Sequence, residues 1–265
     1  MDEVKSEEQP EPEADLGQFD RWMHACSAVP GWMTPQMAGI WDCLLSYQKR
    51  HHIRGHLFEI GVMGGRSAAL LAMHAAADEA LALNDTDPMT QARALIGQIK
   101  GDNVLYLECP SQGLDTTNAE FVDLLSTCRW IHIDGEHSEA GLDNDLKIAN
   151  ALLADWGVIS VDDFMSPPYP HLTRATFKYL ESHCSEVSLF LCGFNKAYLC
   201  RPTVKHSYLY YIKEALFSDM IARGLGSITV WKTNTPSELN CFGVGQRVLD
   251  LDYFGLETDP TAILI

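Results

Sequence analysis

An α/β fold with an open, mostly parallel sheet is what the sequence predicts, and three observations carry that prediction. Five apolar runs of strand length alternate with helical patterns between residues 57 and 161, as in a sheet with helices on both faces. The first run passes into a glycine turn and then an alanine-rich helix. The runs at 130–133 and 158–161 both end in carboxylates, and a helical stretch joins them. Parallel strands joined by crossover helices carry their ends to one edge of the sheet, where open α/β sheets bind ligands.

The 265 residues can form one large α/β domain with additions or two small domains, and a hydrophobic share of 46% is ample for a core. The formal net charge of −17 argues against nucleic acid as a partner, because phosphate backbones are held by Lys and Arg. No stretch reaches the roughly 20 apolar residues of a membrane span. The eight cysteines form no Cys-x-x-Cys pair and fall largely in apolar runs, which predicts a reduced, cytoplasmic protein.

Residues 1–18 are crowded with Asp and Glu around Pro10 and Pro12 and read as a disordered acidic tail, the wrong composition for a signal peptide. Residues 19–54 read as a helical cap. Phe19, Trp22 and Met23 share helical spacing, Pro30-Gly31 breaks the run, and a second helix starts at Thr34 or Pro35 with Met37, Ile40, Trp41, Leu44 and Leu45 on one face. Trp32 and Met33, beside the break, are candidates for a lid.

The main domain spans 55–203. Strand 57–60 leads through the glycine turn into a helix to about 77, and strand 80–85 follows. Pro88 opens a helix with Ala94, Leu95 and Ile99 inward, and Gly101 ends it before strand 104–108. A helix is expected over 119–125, then strand 130–133, a crossover helix over 139–154 and strand 158–161. The prolines of 166–170 mark a surface loop before a helix at 172–182. Runs 187–191 and 196–200, separated by Gly-Phe-Asn, read as an antiparallel hairpin. Residues 204–265 hold a helix at 210–223 and a strand-like run at 227–231. They read as an added lobe or a dimer contact, which leaves a homo-oligomer open.

Asp134, Asp162 and Asp163 sit at strand ends that converge. Like charges so close repel and raise one another's pKa unless a cation lies among them, which points to a metal. All-oxygen ligands favour Mg²⁺, with Mn²⁺ or Ca²⁺ as substitutes. The turn from Gly61 to Gly65 does not match Gly-x-Gly-x-x-Gly, which disfavours a dinucleotide cofactor and hence an oxidoreductase. Glu59 within the first strand and Asp85 at the end of the second suit a ligand with a cationic end and a ribose, and S-adenosylmethionine has both.

On these residues, 55–201 resembles a class I S-adenosylmethionine-dependent methyltransferase. More narrowly, it is similar to the metal-dependent O-methyltransferases that include catechol O-methyltransferase and antibiotic-sugar O-methyltransferases. The resemblance implies a Rossmann-like sheet in which Glu59, Gly61, Met63, Gly65, Ser67, Asp85, Ser111, Gln112 and Asp134 hold the cofactor. It implies that Asp134, Asp162 and Asp163 hold the ion, and that His137 is the base, with Glu136 the second choice. A histidine's ordinary pKa near ~6.5 suits proton transfer at neutral pH. His132, between Ile131 and Ile133, reads as a packed core histidine. The expected acceptor is a small hydroxylated metabolite, a sugar diol or catechol-like ring, with Trp32, Met33, Phe164, Tyr169 and His171 in segments that can border it. The alternatives are a cephalosporin hydroxylase-like protein and a non-catalytic S-adenosylmethionine-binding protein.

Overall fold

Leu57, Phe58 and Ile60 make β1 (His56–Ile60) apolar on both faces, as a strand covered by helices on both sides must be. The same holds for β2 (Leu81–Asp85), β4 (Cys128–Ile133), β5 (Leu153–Val161) and β7 (Lys196–Cys200), whereas β3 (Val104–Glu108) lies at the sheet's edge and is half-exposed. The computed structural model describes residues 17–26, 28–114, 121, 123–233 and 240–247. Nearly all of the acidic tail lies outside the described residues, as do 119, 120 and 122 of the helix expected over 119–125, of which residues 123–125 form a turn instead.

The strands form one nine-stranded sheet in the order β3-β2-β1-β4-β5-β7-β6-β9-β8, with β6 at Ser188–Gly193, β8 at Ile228–Lys232 and β9 at Phe242–Gln246. The first five are parallel, and the expected hairpin adds β7 antiparallel to β5 and β6 antiparallel to β7. Phe194 and Asn195 form its two-residue turn, both at positive φ, as a tight hairpin with right-handed twist requires.

Helices cover both faces. On one, α1 (Gln18–Cys26), α2 (Pro35–Arg50), α3 (Arg66–His74) and α4 (Thr90–Ile99) share a core with Leu57, Leu83, Trp130, Val158 and Tyr198. On the other, α5 (Glu139–Leu152) and α6 (Pro170–Ser182) pack on Phe58, Ile60, Ile131, Ile133, Ile159 and Val161. Thr34 caps α2, its Oγ1 accepting from the Met37 N–H at 3.3 Å, with Pro35 in the first turn, as expected. α4 differs from the expectation. It begins at Thr90, after Met89 at φ 47°, and buries Ala92 and Ile96, while Ala94 faces solvent. Leu95 and Ile99 pack against the core as expected, so Ala94 alone of the three turns outward.

The final segment, read from sequence as a lobe or dimer contact, is built onto the sheet. Its helix, α7 (Lys205–Tyr211) and α8 (Phe217–Ala222) joined by a π-helical turn at Ile212–Leu216, lies against α2. There the Tyr211 hydroxyl donates to the Cys43 carbonyl at 3.2 Å, and Arg223 pairs with Asp42. β9 then pairs parallel with β6, and β8 closes the edge. The eight cysteines are free thiols, most of them buried. Among the described residues no helix is long and apolar enough to cross a membrane.

Candidate active site

The strand order reverses between β1 and β4: β2 and β3 lie on one side, β5 on the other. Such a switch point opens a crevice at the carboxyl ends of the strands. Register delivers the site there. Ile60 pairs with Ile133, and Ile133 with Val161, so Gly61, Asp134 and Asp162 leave the sheet side by side. The Asp134 N–H donates to the Ile60 carbonyl at 2.8 Å and the Asp162 N–H to the Ile133 carbonyl at 2.9 Å, so the ladder holds up to the residues that carry the carboxylates. Above them lies a cavity of about 820 Å³ bordered by the glycine turn, Asp85, Ser111, Gln112, Asp134, His137 and Tyr169.

At the glycine turn, Gly61 has φ +82°, and a Cβ there would fall 1.9 Å from the Asp134 carbonyl oxygen, so only glycine lets β1 close against the end of β4. Met63 follows at φ 49° with an exposed side chain on the cavity wall. Asp85 Oδ2 accepts from the Val62 and Met63 N–H groups, each at 2.8 Å. Burial raises the Asp85 pKa, but backbone N–H bonds from Met63, Asp87 and Val62 outweigh it and hold the carboxyl below its ordinary value. Asp85 is therefore ionised, and it pins the turn.

Three residues expected to hold the cofactor stand behind the wall instead. Strand alternation turns Glu59 away from the cavity to the face that α2 covers; it is wholly buried, and its Oε1 takes the Ser67 hydroxyl at 2.5 Å and His132 Nδ1 at 2.7 Å. Gly65, at φ +86°, starts α3 with its Cα against Ala92. Glu59 and Ser67 thus brace the turn from beneath, and Gly65 lets α3 approach α4. Ser111 and Gln112 do border the cavity, and Gln112 Nε2 donates to Glu136 Oε2 at 2.8 Å.

The carboxylates fall into two groups that share Asp134. Asp134 and Asp163 offer oxygens that form one potential ion-binding group with His137, and Asp134 and Asp162 form a second with His132, the three ligand atoms of each within 4.8 Å of one another. His137 Nε2 lies 2.7 Å from Asp163 Oδ2 and 3.6 Å from Asp134 Oδ1. Its ring stacks on Tyr169 at 4.4 Å, and His171 Nε2 lies 3.0 Å from the His137 carbonyl. Asp134, as an acceptor facing the imidazole, raises the His137 pKa most, burial opposes it, and the charges of Asp134 and Asp163 add to the rise. Burial chiefly raises the Asp134 pKa, and Asp162 adds to it against the opposing bond from His137. Asp162 moves the other way: burial raises it, but Lys196 and His132 pull it well below the carboxylate range. Asp163, at φ 54°, sits in the left-handed region in the loop after β5, a strained backbone of the kind that gathers at functional sites.

Two residues escaped the sequence reading. Asn195, in the hairpin turn, donates through Nδ2 to Asp163 Oδ1 at 2.9 Å. Lys196, at the start of β7, places Nζ 2.6 Å from Asp162 Oδ2 with its side chain 2% exposed. A lone lysine heading the apolar run Ala197, Tyr198, Leu199 was the available signal. His132 is buried as expected, but its Nδ1 lies 2.7 Å from Glu59 Oε1 and its Nε2 3.8 Å from Asp162 Oδ2, so it is a polar link rather than inert packing. Of the bordering candidates, Trp32 and Tyr169 reach the cavity, whereas Met33 and Phe164 are buried in the cores.

A family model described as a methyltransferase domain matches residues 58–164, the span that holds the glycine turn and all three aspartates. Residues 58–164 are thus similar to a methyltransferase domain. The fold of the described chain, a mostly parallel sheet closed by an antiparallel hairpin, is shared with solved methyltransferase structures. Cofactor-bound Rv0187 from MTB superposes with a TM-score of 0.53 at 18% identity, covering 70% of this chain and 90% of that one. The S-adenosylhomocysteine-bound Podospora anserina methyltransferase PaMTH1 gives 0.51 at 18%, covering 72% and 88%. The O-methyltransferase NovP gives 0.51 at 15%, covering 62% and 80%. At these identities the likeness is one of fold. No curated protein matches the chain significantly.

The cavity fits the methyl donor S-adenosylmethionine. Its volume suits a nucleoside-sized ligand, its turn carries a glycine where backbone must come close, and an ionised carboxylate, Asp85, ends β2. Each of the two groups fits a divalent cation, since two aspartate oxygens and a histidine nitrogen lie within reach of one another.

Proposed function

We propose that this methyltransferase moves a methyl group from S-adenosylmethionine to a hydroxyl oxygen of a small metabolite, a sugar diol or a catechol-like ring, with a divalent ion at Asp134, Asp162 and Asp163. The observation that carries the reading is His137 Nε2 standing 2.7 Å from Asp163 and 3.6 Å from Asp134, in the same cavity as the glycine turn. NovP, an O-methyltransferase of the same fold, supports it.

S-adenosylmethionine supplies an electrophilic methyl on a sulfonium, and a divalent ion supplies positive charge that acidifies a hydroxyl and fixes its place. The rest falls to the chain. His137 takes the hydroxyl proton at Nε2, with its ring held by Tyr169 and its backbone by His171. Glu136 is engaged by Gln112, which favours His137 as the base. The backbone at Gly61 and Met63 receives the amino-acid end of the donor, Asp85 the ribose hydroxyls, and Ser111 and Gln112 the adenine region. Trp32, almost fully exposed beside the cavity, is placed to cover a bound acceptor and exclude water. Holding donor and acceptor in line supplies much of the acceleration such a bimolecular reaction needs.

The test is S-adenosylhomocysteine release from a panel of sugar diols and catechols, run with and without a chelator. Turnover is expected to vanish on chelation, return with Mg²⁺ or Mn²⁺, and vanish in Asp162→Ala. Activity that survives both chelation and that substitution removes the ion from the reading. Binding of NAD in place of S-adenosylhomocysteine would overturn the methyl donor.

A further inference from the structure

The buried face below the cavity holds a row of polar side chains. Register aligns Glu59 on β1 with His132 on β4, Ser160 on β5 and Tyr198 on β7, and alternation puts Asp162 and Lys196 next along the same face. β5 and β7 are antiparallel, so the hairpin brings the first residue of β7 back to the strand end that carries Asp162. The Lys196 ammonium lies 2.6 Å from Asp162 Oδ2, 3.4 Å from His132 Nε2 and 5.5 Å from the centre of the Trp41 ring. With its side chain 2% exposed under that indole, it has no route to solvent. The other oxygen, Asp162 Oδ1, takes the Asp163 N–H at 2.8 Å and Asn195 Nδ2 at 3.5 Å.

We propose that Lys196 is a positioning residue that acts as a built-in counter-cation: it fixes Asp162 through Oδ2 and weakens the hold of the three aspartates on a divalent ion. The inference rests on the ion-binding reading above and adds to it a reason for weak, exchangeable binding. A fixed positive charge in contact with a ligand carboxylate opposes a second cation there, and in a poorly screened interior that opposition is large. The lysine also occupies one of the oxygens that an ion would otherwise share. Lys196, the Asp163 N–H and Asn195 hold the Asp162 carboxyl group in place by themselves, so the site does not depend on metal for its shape. It binds an ion at the cost of a standing repulsion.

The test is titration of the full chain with Mn²⁺, following free ion by electron paramagnetic resonance, in the wild type and in Lys196→Gln, Lys196→Met and Lys196→Arg. Lys196→Gln keeps a donor toward Asp162 without the charge and carries the test if Lys196→Met does not fold. Loss of the charge is expected to tighten Mn²⁺ binding by at least about tenfold, while Lys196→Arg stays within about threefold of the wild type. A lysine that merely supports the fold predicts the reverse, looser binding in every variant. Equal affinity in the wild type and a folded Lys196→Gln overturns the inference and leaves the ion-binding reading standing. Binding by Lys196→Gln but not by the wild type supports the inference and removes the ion from the working enzyme. Binding by neither, up to millimolar Mn²⁺, overturns both.

Discussion

His137 can accept a proton only when its Nε2 is free, yet that atom is 2.7 Å from Asp163 Oδ2. An acceptor or ion entering the cluster must therefore take Asp163 from the histidine, and the same event frees the imidazole for the hydroxyl. Replacing His137 with Gln keeps a polar side chain of similar reach but removes the base. Methyl transfer is expected to fall roughly 10²–10⁴-fold, the usual worth of a positioned general base, while S-adenosylhomocysteine affinity measured by calorimetry stays within about twofold. An unchanged rate would move the base to Glu136. At this scale the sequence was informative wherever a residue's type and its strand end sufficed. Asp134 and Asp162 leave the sheet side by side because two parallel strands in register leave little freedom, and Asp134 groups with His137 and Asp163 in the loops beyond. Glu59 was misplaced because one residue of alternation decides between cavity and core, and nothing local marks which. Lys196 stood out only as a lone lysine heading an apolar run; its partner lies 34 positions away, across an antiparallel pairing whose register only the folded hairpin sets.

Elements carry the next set of constraints. The junction of β1 with its turn depends on Gly61, whose φ of +82° and 1.9 Å clearance from the Asp134 carbonyl admit no side chain. Gly61→Ala is expected to destabilise the fold by more than about 1–3 kcal/mol and to abolish S-adenosylhomocysteine binding, read by thermal melting and calorimetry. Near-wild-type binding in that variant would show that the turn yields. A second junction joins α2, α3 and α8. The buried His74 Nε2 lies 2.7 Å from Asp42 Oδ1, and Arg223 pairs with the same carboxylate. Burial lowers the His74 pKa below 6.5 and prevails over the opposing pull of Asp42, so the imidazole is neutral and donates a hydrogen bond to Asp42 rather than forming an ion pair. Between that lowered value and ~6.5 the unfolded chain binds the proton that the folded one refuses, so this group's contribution to stability is lost as the pH falls below ~6.5. His132 and His137, both raised, act in the other window: their contribution is full below ~6.5 and declines as the pH rises toward their folded values. Melting temperatures of the wild type and His74→Gln between pH 5 and 6.5 separate these effects, and the variant is expected to show the flatter profile. Parallel profiles would mean that His74 is charged in the fold.

For the whole molecule, the legible part was the alternation of strands and helices from 57 to 200, because each element announces itself through local periodicity and its neighbours follow from right-handed crossovers. The last segment was not legible. Short runs such as Ile228–Lys232 carry too little pattern to say what they pair with, and β9 joins β6 across about 50 intervening residues. The outcome is one sheet whose strands tie the N-terminal helices, the cavity and the C-terminal segment together, so a ligand at the switch point should be felt by the melting of the described fold as a unit. A ligand that binds only the folded state at 100 times its dissociation constant adds about 2.7 kcal/mol, which for a chain of this size is roughly 5–10 °C in melting temperature. S-adenosylhomocysteine is expected to give a single, shifted transition of that order, and NAD none. Two transitions, of which only one moves with S-adenosylhomocysteine, would mean that the segment after residue 203 melts independently of the rest of the sheet despite the pairing of β9 with β6.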